Sequence, residues 1–179
     1  MWGEPPVDAP SIGQATFHLP AGTVTFMLTD VEGSTRLWES DPEAMTEAIA
    51  RHYELLDAAV ALHGGVRPVE QGEGDSVVAA FTRASDALAA ALDVQLAFQA
   101  EPWPAGAAVR MRIALHTAEA QLRDEGNYFG QAVNRCARLR AVAHGGQGVA
   151  APGRSGRGGG PQLLLQRPGG GAGDPVRDL

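Results

Sequence analysis

Three short segments of this chain combine residue types that can do chemistry together. Asp30 follows the apolar run Phe26-Met27-Leu28 and opens Asp30-Val31-Glu32-Gly33-Ser34-Thr35. Asp75 sits in Gly72-Glu73-Gly74-Asp75-Ser76, and Asn134 and Arg138 follow Asn127-Tyr128-Phe129-Gly130. Two carboxylates on rigid strand tips suit a pair of hard divalent cations, which take oxygen ligands and leave room for substrate phosphates. Residues at i and i+4 share one helix face, so the Asn134 amide and Arg138 guanidinium can meet a sugar and a phosphoryl group. Gly33-Ser34-Thr35 offers a helix start whose backbone N–H groups favour an anion. Together the segments predict a site for nucleotide phosphoryl transfer.

The elements that must position these residues follow from periodicity. Thr23 to Leu28 mixes β-branched and large apolar residues, as a buried strand does. Asp41-Pro42 supplies an N-cap and first-turn proline for a helix with Met45, Ile49, Tyr53, Leu56 and Val60 at helical spacing, stopped by Gly64-Gly65. Val66 to Glu70 and Ser76 to Phe81 read as short strands around a Gly72-Glu73-Gly74 turn. Ser85 to Gln99 is Ala-rich, with Leu88, Leu92 and Leu96 on one helix face. Val109 to Thr117 reads as a strand ending near His116-Thr117, and Gly130 to Ala143 as a helix ended by Gly145-Gly146. On that helix Val133, Cys136 and Ala137 form an apolar stripe beside the Asn134/Arg138 face. The order β-α-α-β-β-α-β predicts an α/β (α+β) ferredoxin-like sandwich.

A chain of 179 residues makes one domain with a real core. Residues 1–20 read as a flexible leader and 21–147 as the folded unit. Residues 148–179 hold 10 Gly and 4 Pro in 32 positions and read as a disordered tail. One cysteine excludes a disulfide framework, and no apolar run is long enough for a membrane helix. The N-terminus has no secretory pattern, so a cytoplasmic location is expected. The formal charge is −7, with −9 on residues 1–147, which argues against duplex nucleic acid as a partner. All 14 basic residues are arginine. There is no Gly-x-x-x-x-Gly-Lys-Ser/Thr loop, so a P-loop NTPase is excluded.

Phe26 to Thr35, Gly72 to Phe81 and Asn127 to Leu139 resemble the class III nucleotidyl cyclase catalytic domain. The likeness is greatest to the bacterial branch with Leu-His-Thr-Gly-Glu-Ala and Val-Asn-Arg-x-Ala-Arg-Leu signatures, and it covers roughly residues 20–147. The resemblance implies that Asp30 and Asp75 bind two Mg²⁺ or Mn²⁺ ions per site. It implies that Glu32, Gly33, Ser34 and Thr35 cradle phosphate, that Asn134 orients the ribose, and that Arg138 stabilises charge on the α-phosphoryl group. It further implies a cytoplasmic head-to-tail homodimer, or a heterodimer with a homologous cyclase. The product would be a 3′,5′-cyclic nucleotide, with pyrophosphate released. Plainer readings exist for each residue alone: Asp30 and Asp75 as turn caps, Asn134 and Arg138 as a solvated face, His116 as a core histidine, Cys136 as a packing residue.

The chain also departs from that family. The base-facing positions, usually lysine and Asp or Thr in adenylate-making members, are Gln71 and Asn127. Each amide can donate and accept, so ATP and GTP both stay open. The lysine that usually reaches the triphosphate from beyond the dimerisation helix has no counterpart in a chain without lysine. Residues 148–179 read as a frame-shifted or degenerate terminus. Two further readings follow: a catalytically weak or inactive remnant that binds nucleotide or pairs with a homologous cyclase, and an RNA-associated protein acting through the Gly/Arg tail.

Overall fold

The computed structural model describes residues 18–69, 74–124 and 126–151, and the backbone of Leu163–Leu165. Its elements are β1 (Gly22–Val31), α1 (Ser34–Ser40), α2 (Pro42–Leu62), β2 (Val77–Phe81), α3 (Ala84–Ala100), β3 (Met111–Asp124), β4 (Asn127–Phe129), α4 (Gln131–Arg140), β5 (Gln147–Ala151) and β6 (Leu163–Leu165). The strands form a sheet in the order β2-β1-β3-β5-β6, with β4 pairing β3 off that path. β1 runs antiparallel to both β2 and β3, while β5 joins β3 in parallel. No helix among the described residues is long and apolar enough to cross a membrane.

β1 is buried on both faces because its alternate side chains enter two different cores. Met27 and Val31 pack with Val77, Ala79, Phe81, Met111 and Ile113 under α2 and α3. Phe26 and Leu28 pack with Val78, Ala80, Ala114 and Tyr128 under α4 and β4. The period-two alternation of strand side chains makes one strand serve both layers. Asp41 caps α2, its Oδ1 accepting from Ala44 N at 3.0 Å, with Pro42 at the first helical position.

Several sequence expectations need correction. Val66 to Glu70 forms no named strand; Val66 makes one isolated bridge to Ala80, and 70–73 lie outside the described residues. The leucine face of α3 lies at the edge of the core, with Leu88 half-buried against it. Leu92 and Leu96 are exposed, and the buried face is Ala87, Ala90, Ala91, Val94 and Phe98. Small residues let α3 lie close to α2 and the sheet, so Leu92 and Leu96 are left facing outward. β3 does not stop at His116-Thr117 but runs on to Asp124, because β4 folds back on it. The boundary expected at 147 falls at the first residue of β5, and the ladder continues to Leu163–Leu165. The remainder of 148–179, including any question of a frame-shifted terminus, lies outside the described residues, as does the leader up to residue 17.

One buried group carries a pH consequence. His52 of α2 is fully buried, stacked on Tyr53 at 4.9 Å and edge-on to Phe98 at 5.7 Å. Neither ring nitrogen has a partner among the described residues. Burial lowers its pKa to about 4. The unfolded chain, titrating near 6.5, therefore binds more protons than the folded one between about pH 4 and 6.5. Stability is full above that window and falls as pH drops through it, by roughly 3 kcal/mol at most. His52→Leu should remove this contribution. Urea unfolding at pH 7.5 and 4.5 should show a smaller drop for the variant than for the parent. An equal drop would show that His52 is not the buried base responsible.

Candidate active site

β1 and β2 deliver the two carboxylates to one end of the sheet. Their ladder runs as far as Thr29 opposite Val77. Just beyond it, Val31 N donates to Asp75 Oδ2 at 2.8 Å, tying the Asp75 turn to the strand that carries Asp30. The expected metal pair is therefore brought together. Asp30 is held on its other side by β3, whose register sets Arg112 directly opposite it. Arg112 Nε donates to Asp30 Oδ1 at 2.8 Å and Nη2 to Oδ2 at 2.7 Å, a bidentate fork that raises the guanidinium pKa further. Arg140 approaches the same carboxylate, with Nε 3.4 Å from Oδ2. Its Nη1 donates to Thr29 O at 3.1 Å and to Ser76 Oγ at 2.5 Å.

The donor set fits hard divalent cations. It consists of two carboxylates at adjacent strand ends, one already neutralised by fixed positive charge. No group of three or more His, Cys, Asp or Glu suited to a metal occurs among the described residues. A magnesium site with few protein carboxylates and several phosphate or water oxygens has that sparse composition.

α1 begins beside these acids. Gly33 caps it in the left-handed region at φ 69°, a conformation that costs a non-glycine residue more. Gly33 O accepts from Arg36 and Leu37, while the amides of Gly33, Ser34 and Thr35 donate to no acceptor among the described residues. These three stay free for an anion. Glu32 differs: its N–H is spent on Arg110 O at 2.9 Å, and its carboxylate packs against Gly145. Of the expected phosphate cradle, three residues offer free N–H groups and Glu32 does not.

Asn134 and Arg138 are both exposed on α4, and neither has a hydrogen bond or ion pair among the described residues. The opposite face of α4 is buried through Ala132 and Cys136, whose thiol lies 3.4 Å from Ala114 O. Burial pushes that thiol up to about 12, so it packs and does not act as a nucleophile. The Asn134/Arg138 face is thus exposed, and neither residue bonds to Asp30 or Asp75 within one chain. Asn127 is buried at the start of β4, and its Nδ2 donates to Asp124 Oδ1 at 3.1 Å. Gln71 lies outside the described residues. His116 is a core residue of β3, with Nδ1 3.2 Å from Ala151 O and a pKa lowered by burial.

Sequence reasoning missed Arg112 and Arg140. Arg112 had a usable signal, because an antiparallel β1–β3 pairing in the native register places it opposite Asp30. Arg140 had none, since its role depends on where the end of α4 meets the sheet.

The described residues thus combine a mixed α/β sheet, two acids at one end of it and an exposed amide/guanidinium face on α4. Comparison with known proteins gives the family. The model of the adenylate and guanylate cyclase catalytic domain matches residues 18–150, and the chain belongs to this family. It is 55% identical over 130 residues to an uncharacterized protein of Mycobacterium tuberculosis, spanning 73% of this chain and 43% of the relative. It is 32% identical over 152 residues to an adenylate cyclase of Lachancea kluyveri, spanning 72% of this chain and 8% of that protein. The fold is similar to an adenylate cyclase of Trypanosoma brucei solved in its monomeric state, with a TM-score of 0.67, 25% identity, and coverage of 80% and 78% of the two chains. It is also similar to an adenylate/guanylate cyclase/hydrolase from Silicibacter pomeroyi, with a TM-score of 0.61, 30% identity, and coverage of 72% and 75%. The chain spans less than half the length of the mycobacterial relative and under a tenth of the fungal one.

Gly145 marks how tightly this end is packed. A Cβ there would collide with the Glu32 carboxylate and lie 2.8 Å from Arg110 Cβ. Gly145→Ala should cost about 1–3 kcal/mol through overpacking. The shift in urea midpoint measures it; a neutral result would show that Glu32 swings clear without cost.

Proposed function

We propose that this chain is the catalytic domain of a nucleotidyl cyclase. It would convert ATP, or alternatively GTP, to the 3′,5′-cyclic monophosphate and pyrophosphate. The observation that carries the reading is the placement of Asp30 and Asp75 at adjacent strand ends beside a helix start with three free N–H groups. In this reading Asp30 and Asp75 hold two Mg²⁺ or Mn²⁺ ions, which supply positive charge for ionising the ribose 3′-hydroxyl and for binding the triphosphate. Gly33, Ser34 and Thr35 donate backbone hydrogen bonds to phosphate oxygens. Asn134 orients the ribose. As the 3′-oxygen bonds to the α-phosphorus and the bond to the leaving pyrophosphate breaks, Arg138 balances the charge on the equatorial oxygens. Gln71 meets the base edge, and Asn127 would join it only by turning from its contact with Asp124. Asn134 and Arg138 are exposed and bond to neither acid of their own chain, so the reading includes a two-fold dimer in which each site takes its acids from one protomer and its α4 face from the other.

A second reading is a nucleotide-binding subunit with little turnover of its own, pairing with a homologous cyclase. It is favoured by the absence of any lysine among the 14 basic residues. Purified protein with Mn²⁺ and ATP or GTP separates the two. Cyclic nucleotide formation supports the first reading, and nucleotide-dependent stabilisation without product supports the second.

Shared sites give a sharper test. Asp30→Ala and Arg138→Ala should each be inactive alone, since each removes transition-state charge stabilisation worth several kcal/mol. Mixed, they form heterodimers in which one site carries both lesions and the other none, so up to about half of a dimer's activity returns in those species by symmetry. No recovery despite verified subunit exchange would show that sites are not shared.

Base choice is tested separately. Gln71→Lys combined with Asn127→Asp should raise the kcat/KM ratio for ATP over GTP. An unchanged ratio would remove these two positions from base reading.

A further inference from the structure

Arg140 makes contacts that neither the family match nor the proposed mechanism uses. It is the last residue of α4, the helix that carries Asn134 and Arg138. Its guanidinium reaches the β1 tip through Thr29 O at 3.1 Å, and the residue after Asp75 through Ser76 Oγ at 2.5 Å. The β1–β2 ladder ends at Thr29 and Val77, so backbone pairing does not hold the Asp75 turn against β1. Among the described residues, two ties to this end do so instead, Val31 N to Asp75 and Arg140 across Thr29 and Ser76, while Tyr53 Oη of α2 donates to Gly74 O at the base of the turn.

Electrostatic neutralisation of Asp30 is mainly the work of Arg112, at 2.7 and 2.8 Å. Arg140 stands further off at 3.4 Å, and its shorter contacts go to neutral oxygens. Its geometry is that of a strut. The planar fork of arginine can hold several acceptors in fixed directions at once.

We propose that Arg140 is a positioning residue that sets the spacing of the Asp30 and Asp75 carboxylates and fastens α4 to that end of the sheet. The proposal rests on the cyclase reading for its catalytic meaning, but its structural core does not. Losing a strut and losing a competing cation have opposite effects on metal affinity. Removal of positive charge alone would make a dication bind more tightly at Asp30. Removal of the strut lets the Asp75 turn drift and loosens the pair.

Hydrogen exchange of the metal-free protein and Mn²⁺ binding followed by electron paramagnetic resonance, both on the full chain, test this without turnover. In Arg140→Ala, the Val31 amide and the amides of residues 74–77 should exchange at least about fivefold faster, through local opening of the Asp75 turn. Mn²⁺ affinity should fall about tenfold. Arg140→Lys, which keeps the charge but not the planar fork, should leave exchange raised and Mn²⁺ affinity lowered by at least about threefold relative to the parent. Unchanged exchange in the folded Ala variant, or tighter Mn²⁺ binding, overturns the proposal. A parent that binds Mn²⁺ yet forms no cyclic nucleotide would count against the cyclase reading alone, because both readouts of the strut stand apart from catalysis.

Discussion

The register of β1 is the constraint on which the site depends. Side chains alternate strictly along a strand, so a slip of one residue sends every group to the opposite face. β1 cannot slip at low cost because both of its faces are buried in different cores. Phe26 and Leu28 would have to exchange environments with Met27 and Thr29, and a polar threonine would replace a large apolar side chain. Double-sided burial therefore does more than stabilise the sheet. It fixes the end of the strand at which Asp30 emerges, with Arg112 opposite and the Asp75 turn alongside.

That end gathers negative charge, which the fold must offset. Unit charges about 4 Å apart at an effective dielectric near 20 interact by roughly 4 kcal/mol. A carboxylate held beside Asp75 without a counter-charge would be a local instability of that order. The Arg112 fork offsets it within the sheet, from a neighbouring strand and without a long loop. The same feature has a chemical consequence. In the proposed reading, a divalent cation reaching Asp30 would meet a carboxylate already paired with Arg112, so its entry would be an exchange of partners.

Much of this was legible in the sequence, for identifiable reasons. Asp41-Pro42 marked the start of α2 because capping and fixed φ are local effects. Asp30 and Asp75 were readable as a pair because Asp30 ends one apolar run before Gly33 and Asp75 opens another after Gly74. The α3 leucines marked a helix that is present, but helical spacing does not say which face the sheet accepts. Ala90, Ala91 and Val94 won the inner position through close approach, a tertiary requirement that no single-helix pattern contains. β5 was read as part of a tail because its Gly148 and the glycines after it suggest disorder, while its pairing to β3 is long-range. Arg140 was invisible for the same reason: its acceptors, Thr29 and Ser76, are 111 and 64 residues away.

The all-arginine composition bears on what the site can do. Lysine offers a compact point charge on a flexible stem, suited to following a moving phosphate. Arginine offers a planar fork that commits to fixed acceptors. In this chain the forks are largely committed to protein oxygens: Arg112 to Asp30, Arg140 to Thr29 and Ser76, Arg51 to Glu54 and Glu101. Arg138, like Arg36, Arg83 and Arg110, is exposed and has no side-chain hydrogen bond or ion pair among the described residues. The cations therefore divide by role. Arg112 and Arg140 build the geometry beside the acids, while Arg138 is among those left free. In the proposed reading the carboxylates come with their counter-charge built in and the free guanidinium comes from a second protomer, which is the asymmetry a shared site would resolve.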